Sequence, residues 1–229
     1  MTNTDGSSST ERVAIFIDGS NLYHGLKVNL GKTNLDFNRF SRHLCGERRL
    51  VRTYYYTAPT DQNIDPLRFA EQQKFLASLY MTPYLEVKLG RLVYRGKVAM
   101  EKGTDIKLGT DMLSLAFKDM YDVAILVTGD GDFVDVVRAV KDLGKYVENA
   151  SFRSQLSQDL LQAADRLIEL DKDFLTNCWQ DSPEPVEISS KAINAAKSRG
   201  RGSARKRTRG TSSNPNERRT QESGQASNR

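Results

Sequence analysis

Aspartate recurs in this 229-residue chain at places where a carboxylate can act on a ligand. The apolar run Arg12-Val-Ala-Ile-Phe-Ile17 leads straight into Asp18-Gly19-Ser20-Asn21. A second run, Asp122-Val-Ala-Ile-Leu-Val-Thr128, leads into Gly129-Asp130-Gly131-Asp132, and Gly103-Thr104-Asp105 opens a third segment. Carboxylates gathered in one place repel each other unless a hard cation neutralises them, and ligands that are all oxygen suit Mg2+ or Mn2+. An ion held in this way polarises a phosphoryl oxygen and lowers the pKa of a bound water, which is what phosphodiester hydrolysis requires. Asp18, Asp105, Asp130 and Asp132 are the expected metal ligands.

Nucleophilic catalysis has little to work with. His24 and His43 are the only histidines, and neither is matched to a nucleophilic Ser or Cys. Both read as surface or packing residues, with contact to substrate as the alternative for His24, close to Asn21. A phosphatase with an aspartyl nucleophile wants a DxDx[TV]-like segment, and Asp18-Gly-Ser does not fit it. Taken singly, an Asp after a strand is also a common helix N-cap, a role open to Asp18 and Asp132. Asp119, Asp135 and Asp142 fit solvated helix faces. Asp111 lies six residues after Asp105, about 240° around an ideal helix, so the two share no narrow face.

The elements that must position these groups follow from pattern. Both apolar runs read as strands buried on two faces, as in a parallel sheet. Helices are expected over 22–30 and over 36–44, the latter with Asp36 as N-cap. Leu50–Thr57 is rich in β-branched and aromatic residues and reads as a strand, with Tyr54, Tyr55 and Tyr56 packing within it. Asp65-Pro66 opens a helix running to about Met81, with Pro at its first position. Residues 84–94 read as a strand or as part of a hairpin turning near Arg95-Gly96. Helices follow from Gly103 to about Met120 and from Phe133 to Leu143, with a short strand at 146–148. Two more helices are expected over 155–164 and 172–178, on either side of Arg166–Glu169. Strands alternating with helices specify an α/β layered fold with a mainly parallel central sheet, and ligand sites in such sheets lie beyond the carboxyl ends of the strands.

Charge divides the chain. Residues 181–229 hold 11 Lys/Arg against 5 Asp/Glu, whereas residues 1–180 hold 23 against 24. The expected organisation is a polar, disordered N-terminus at 1–10, one domain over 11–180, and a disordered Arg/Gly/Ser-rich tail over 181–229. A basic tail points to a polyanion, with nucleic acid first. Cys45 and Cys178 lie far apart in no CxxC pattern and read as buried thiols, not a disulfide framework or a zinc site. The N-terminus lacks an apolar signal region, and no apolar run reaches the roughly 18 residues that span a bilayer. A cytoplasmic protein with no membrane partner is the expectation; a homo-oligomer stays open.

Three ordered segments carry a resemblance: Val13–Tyr23 (VAIFIDGSNLY), Lys102–Asp111 (KGTDIKLGTD) and Val127–Phe133 (VTGDGDF). With a trailing Leu156–Asp165 segment, they resemble the NYN domain of the PIN-like nucleases over about residues 11–178, in particular its LabA-like branch. The resemblance implies a PIN-like three-layer α/β/α fold and metal-dependent RNA hydrolysis. By position it makes Asp18, Asp105, Asp130 and Asp132 the acidic site. Asn21 then orients Asp18 or a metal-bound water, and Asp111 is a further acidic contributor.

RNA also needs positive charge. Arg91, Arg95, Lys102 and Lys107 gather around Asp105, Lys102 and Lys107 being placed to hold a phosphate near the metal; they can equally be a solvated face. Arg48, Arg49 and Arg52 read as solvated surface. Arg199, Arg201, Arg205, Lys206, Arg207 and Arg209 form an RG-rich stretch of the kind that binds RNA through backbone electrostatics and Arg stacking, a solubilising linker or localisation signal being the alternative. Two functions follow: a ribonuclease, or a catalytically weak or inactive RNA- or protein-binding module of the same fold.

Overall fold

The computed structural model describes residues 10–95 and 98–181, all within the first of the chain's two units, Met1–Pro183. The expected disordered ends lie outside the described residues except for Thr10 and Asp181.

Six strands form one sheet. They are β1 (Arg12–Asp18), β2 (Arg49–Thr57), β3 (Leu85–Leu89), β6 (Val123–Val127), β7 (Tyr146–Ser151) and β8 (Arg166–Glu169), in the order β3-β2-β1-β6-β7-β8. Every neighbouring pair is parallel, as the unbroken apolar runs of β1 and β6 require. Between them come helices α1 (Gly19–Leu30), α2 (Phe37–Cys45), α3 (Pro66–Tyr80), α4 (Thr104–Phe117), α5 (Val134–Asp142) and α6 (Gln158–Ala163). A small antiparallel hairpin of β4 (Arg91–Arg95) and β5 (Val98–Lys102) stands apart from the sheet.

Side chains alternate along β1 and so build two cores. Val13, Ile15 and Ile17 join Leu22 and Leu26 of α1, Phe40 of α2 and Leu79 of α3. Ala14 and Phe16 join Leu108 and Met112 of α4, Val137 of α5 and Leu160 of α6. The domain is therefore the expected three-layer α/β/α structure. Tyr54, Tyr55 and Tyr56 are buried packing residues, Phe16 stacking on Tyr54 at 5.3 Å between centroids.

Three local readings change. The expected helix at 172–178 is a series of turns: Asp171 accepts from the Phe174 amide, and Trp179 is pulled into a bridge with Leu35, so no helix can extend. The stretch 84–94 breaks at Gly90: β3 joins the parallel sheet, while β4 belongs to the hairpin with β5 that is the alternative reading. The helix expected from residue 155 begins at Gln158, leaving Gln155 in the loop after β7.

The amino ends of the strands are fastened by ion pairs. Arg12 binds Asp122 through its backbone N–H and its guanidinium, which holds the Asp122 carboxyl down at about 2. Glu148, 2% exposed in β7, receives two bonds from Arg48 at 3.0 and 2.9 Å and one from Arg166 at 3.2 Å. Arg48 also caps the Leu44 and Cys45 carbonyls at the end of α2, so it is structural and not solvated surface. Removing one partner of a buried pair costs roughly 3 kcal/mol, whereas an exposed pair contributes less than about 1 kcal/mol. In urea unfolding, Arg48→Ala is expected to lose the larger amount and Arg153→Ala, from the exposed pair with Glu169, the smaller; equal losses would contradict this ranking.

Candidate active site

The strand order reverses between β1 and β6. The chain runs outward from β1 through β2 to β3, then returns to β6 on the other side. Helices leave β1 and β6 in opposite directions at this point and open a crevice beyond the carboxyl ends. Asp18 ends β1, while Gly129, Asp130 and the 3₁₀ turn Gly131–Phe133 follow β6. A hollow of about 420 Å3 lies here, lined by Asp18, Asn21, His24, Lys102, Asp105 and Asp130, among others.

Asp18 is 7% exposed and has two duties. Its Oδ1 accepts from the Asn21 amide at 3.1 Å and so caps α1, and its Oδ2 accepts from the Thr128 hydroxyl at 3.1 Å. The N-cap reading of this residue is correct, and the same residue lines the hollow. Burial pushes its pKa up, the hydrogen bonds oppose that rise, and the charge of Asp105 reinforces it. Asp105 sits in the first turn of α4, behind Gly103 in the left-handed conformation at φ 81°, which turns the chain off the hairpin. Its pKa is also raised, by partial burial and then by the charges of Asp130 and Asp132. Asp105 thus feels the charge of Asp130 and Asp132, and Asp18 that of Asp105. Asp130 lines the hollow and accepts from the Asp132 amide at 3.0 Å; Asp132 is exposed and is not part of the wall.

Asn21 donates its backbone amide to Asp18, and its side chain makes a second contact. Its Oδ1 accepts from the Gly129 amide at 3.0 Å, tying the first turn of α1 to the loop after β6. Gly129 must be glycine, because a Cβ would lie 2.3 Å from the Gln155 carbonyl oxygen. Asp111 is not on the wall of the hollow. It accepts from Tyr56 Oη at 3.0 Å and lies 4.0 Å from Lys88, holding α4 against β2.

Among the basic candidates, Lys102 lines the hollow. Lys107 donates to the Leu89 carbonyl at 3.1 Å, and Arg91 is exposed on β4 opposite Lys102 of β5. Arg95 ends β4, while Arg199, Arg201, Arg205, Lys206, Arg207 and Arg209 lie outside the described residues. The structure adds His24, Thr57 and Gln155 to the wall. Proximity to Asn21 flagged His24; nothing in the sequence flagged Gln155, which a loop folds back from β7.

The donor set suits a hydrated Mg2+-type ion better than an all-protein cage. Among the described residues no three Asp, Glu, His or Cys side chains stand close enough to hold one ion. Mg2+ keeps several waters and commonly takes only one or two carboxylates together with substrate phosphates. Asp18 and Asp105, raised by burial and by neighbouring negative charge, are groups that such an ion relieves.

A wholly parallel, doubly wound α/β/α domain with carboxylates at its switch point defines the class. The NYN domain profile matches residues 12–171, and the chain belongs to that family. It is 26% identical over 186 residues to the Low amplitude and bright protein LabA of Synechococcus elongatus, covering 76% of this chain and 91% of LabA. The crystal structure of VPA0982, a protein of unknown function from Vibrio parahaemolyticus, matches with a TM-score of 0.62 at 27% identity, covering 73% of this chain and 98% of that one. Among the described residues no helix is long and apolar enough to cross a membrane.

A raised native pKa means that the folded protein holds a proton the unfolded chain has lost. Stability therefore falls as pH rises through the window above the ordinary carboxylate range. Asp18→Asn keeps an oxygen for the α1 cap and removes the buried charge. In chelator-treated protein, its stability relative to wild type is expected to be more favourable at about pH 7 than at about pH 4. A difference independent of pH would show that the Asp18 charge carries no such penalty.

Proposed function

We propose that this domain is a ribonuclease that hydrolyses RNA phosphodiester bonds in the cytoplasm with Mg2+ or Mn2+ at the switch-point hollow. The supporting observation is the buried Asp18 carboxylate, raised in pKa and electrostatically coupled to Asp105 beside an open hollow. Asp18, Asp105, Asp130 and Asp132 would surround a hydrated ion, one or two of them bonding it directly and the others through its waters. When bound, it polarises the scissile phosphoryl group and lowers the pKa of a water. Thr128 and Asn21 fix the direction of Asp18 and of the loop bearing Asp130. Lys102 supplies positive charge at the wall, with Arg91, Arg95 and Lys107 extending it along the hairpin and α4. The basic residues from Arg199 to Arg209 raise the local concentration of RNA by nonspecific electrostatics. Asp111 contributes by fastening α4, which places Asp105.

The second reading is a catalytically inactive RNA- or protein-binding module of the same fold. Cleavage of single-stranded and structured RNA with Mn2+ or Mg2+ separates the two. Asp18→Asn and Asp130→Asn are expected to lose activity on the order of 100-fold or more, as when charge stabilisation is removed from a transition state. Asp111→Asn is expected to lose much less. Equal inactivity of wild type and variants, with RNA binding retained, would support the module instead.

Deleting residues 182–229 is expected to weaken RNA affinity and flatten its dependence on salt, since each lost phosphate contact lowers the slope by roughly 0.7–0.9. An unchanged slope would remove the tail from binding.

A further inference from the structure

Strand β7 breaks the rule that the rest of the sheet obeys. A strand inside a parallel sheet is covered on both faces and is expected to be apolar. Yet Glu148, Asn149 and Ser151 are all buried here. Glu148 is accounted for by Arg48 and Arg166 at the amino end. Asn149 has no charged partner and is 0% exposed.

Its carboxamide is nonetheless firmly placed. Nδ2 donates to the Leu126 carbonyl at 3.1 Å and to the Thr128 carbonyl at 2.8 Å, so one amide group clamps the last turn of backbone in β6. Its Oδ1 is buried with no partner among the described residues. The reverse orientation would set that oxygen against two carbonyl oxygens, so the observed one is the only favourable choice. For packing alone, a hydrocarbon of similar volume would avoid an orphaned acceptor. Such breaches of local consistency concentrate where a protein positions a functional group.

What the clamp positions is clear from the next bonds along the chain. The Thr128 hydroxyl donates to Asp18 Oδ2 at 3.1 Å and accepts from the Asp130 amide at 3.3 Å. The neighbouring Gly129 amide donates to Asn21 Oδ1. Ser151, two residues beyond Asn149, lies against Gly129, with its Oγ 2.9 Å from where a Cβ there would stand. One strand away from the hollow, β7 thus holds the single threonine that connects Asp18 to Asp130.

We propose that Asn149 is a positioning residue for the acidic site, acting through Thr128 to set the geometry of Asp18 and Asp130. The metal half of the test rests on the function proposed above; the other half does not.

Amide hydrogen exchange reads the clamp directly in full-length protein without metal. In Asn149→Leu, protection is expected to fall at Gly129 and Asp130 while the amides of β1 and β2 keep theirs. Unchanged protection at Gly129 and Asp130, or a uniform loss across the sheet, would overturn the proposal. Asn149→Ala removes the same donor without the bulk of Leu and serves where Leu prevents folding. Mn2+ affinity, followed by electron paramagnetic resonance, adds a double-mutant cycle. Loss of an outer partner commonly weakens metal binding 10- to 100-fold. Asn149→Leu and Thr128→Val are each expected to weaken Mn2+ binding by about that much, Thr128→Ser to restore it, and the double variant to fall no further than Thr128→Val. Additive losses would mean that Asn149 does not act through Thr128. Failure of the wild type to bind Mn2+ would overturn the metal reading alone and leave the exchange result to decide this one.

Discussion

A carboxylate withdrawn from water must be met by donors, and at Asp18 those donors come from two places in the chain. The Asn21 amide is local, because the end of β1 turns directly into α1. The Thr128 hydroxyl lies 110 residues away and reaches Asp18 only because β6 runs parallel beside β1 in register. The site therefore depends on one strand pairing at the centre of the sheet. The same pairing opens the crevice, since the helices after β1 and β6 depart to opposite faces. Position, desolvation and the surviving negative charge at Asp18 have a single origin.

The two ends of the sheet treat charge in opposite ways. At the amino ends, carboxylates are matched to cations: Asp122 and Asp119 to Arg12, Asp119 also to Lys145, Glu148 to Arg48 and Arg166. Asp122 accordingly falls in pKa. At the carboxyl ends two carboxylates rise, Asp18 chiefly through burial and Asp105 through partial desolvation and then the charges of Asp130 and Asp132. The first arrangement stabilises the fold by itself. The second costs stability, because charge there is left uncompensated.

Polar residues inside strands mark both ends. In β7, Glu148 serves the amino end and Asn149 with Ser151 the carboxyl end, so one short strand fastens both. Its neighbour β6, and β1 beyond it, are free to be almost wholly apolar and to supply the two cores.

Much of this was legible in the residues. The apolar runs of β1 and β6 announced a parallel sheet, because only a strand covered on both faces reads without alternation. The aspartates after those runs announced the site, because open α/β sheets bind ligands beyond their carboxyl ends. Other features depend on contacts between residues far apart in the chain. No local pattern shows that Asp111 meets Tyr56, that Asn21 holds Gly129, that Arg48 finds Glu148, or that Gln155 folds back to the wall of the hollow. Residues 172–178 misled for the same reason: their helical character yields to a bridge between Leu35 and Trp179, 144 positions apart. The sequence by itself determined that aspartates follow two central strands and that they lie at the carboxyl end of the sheet, because apolar runs and the residues after them are local features. The tertiary structure alone decided which acids face one another and which are held for support, because burial and electrostatic coupling act through space.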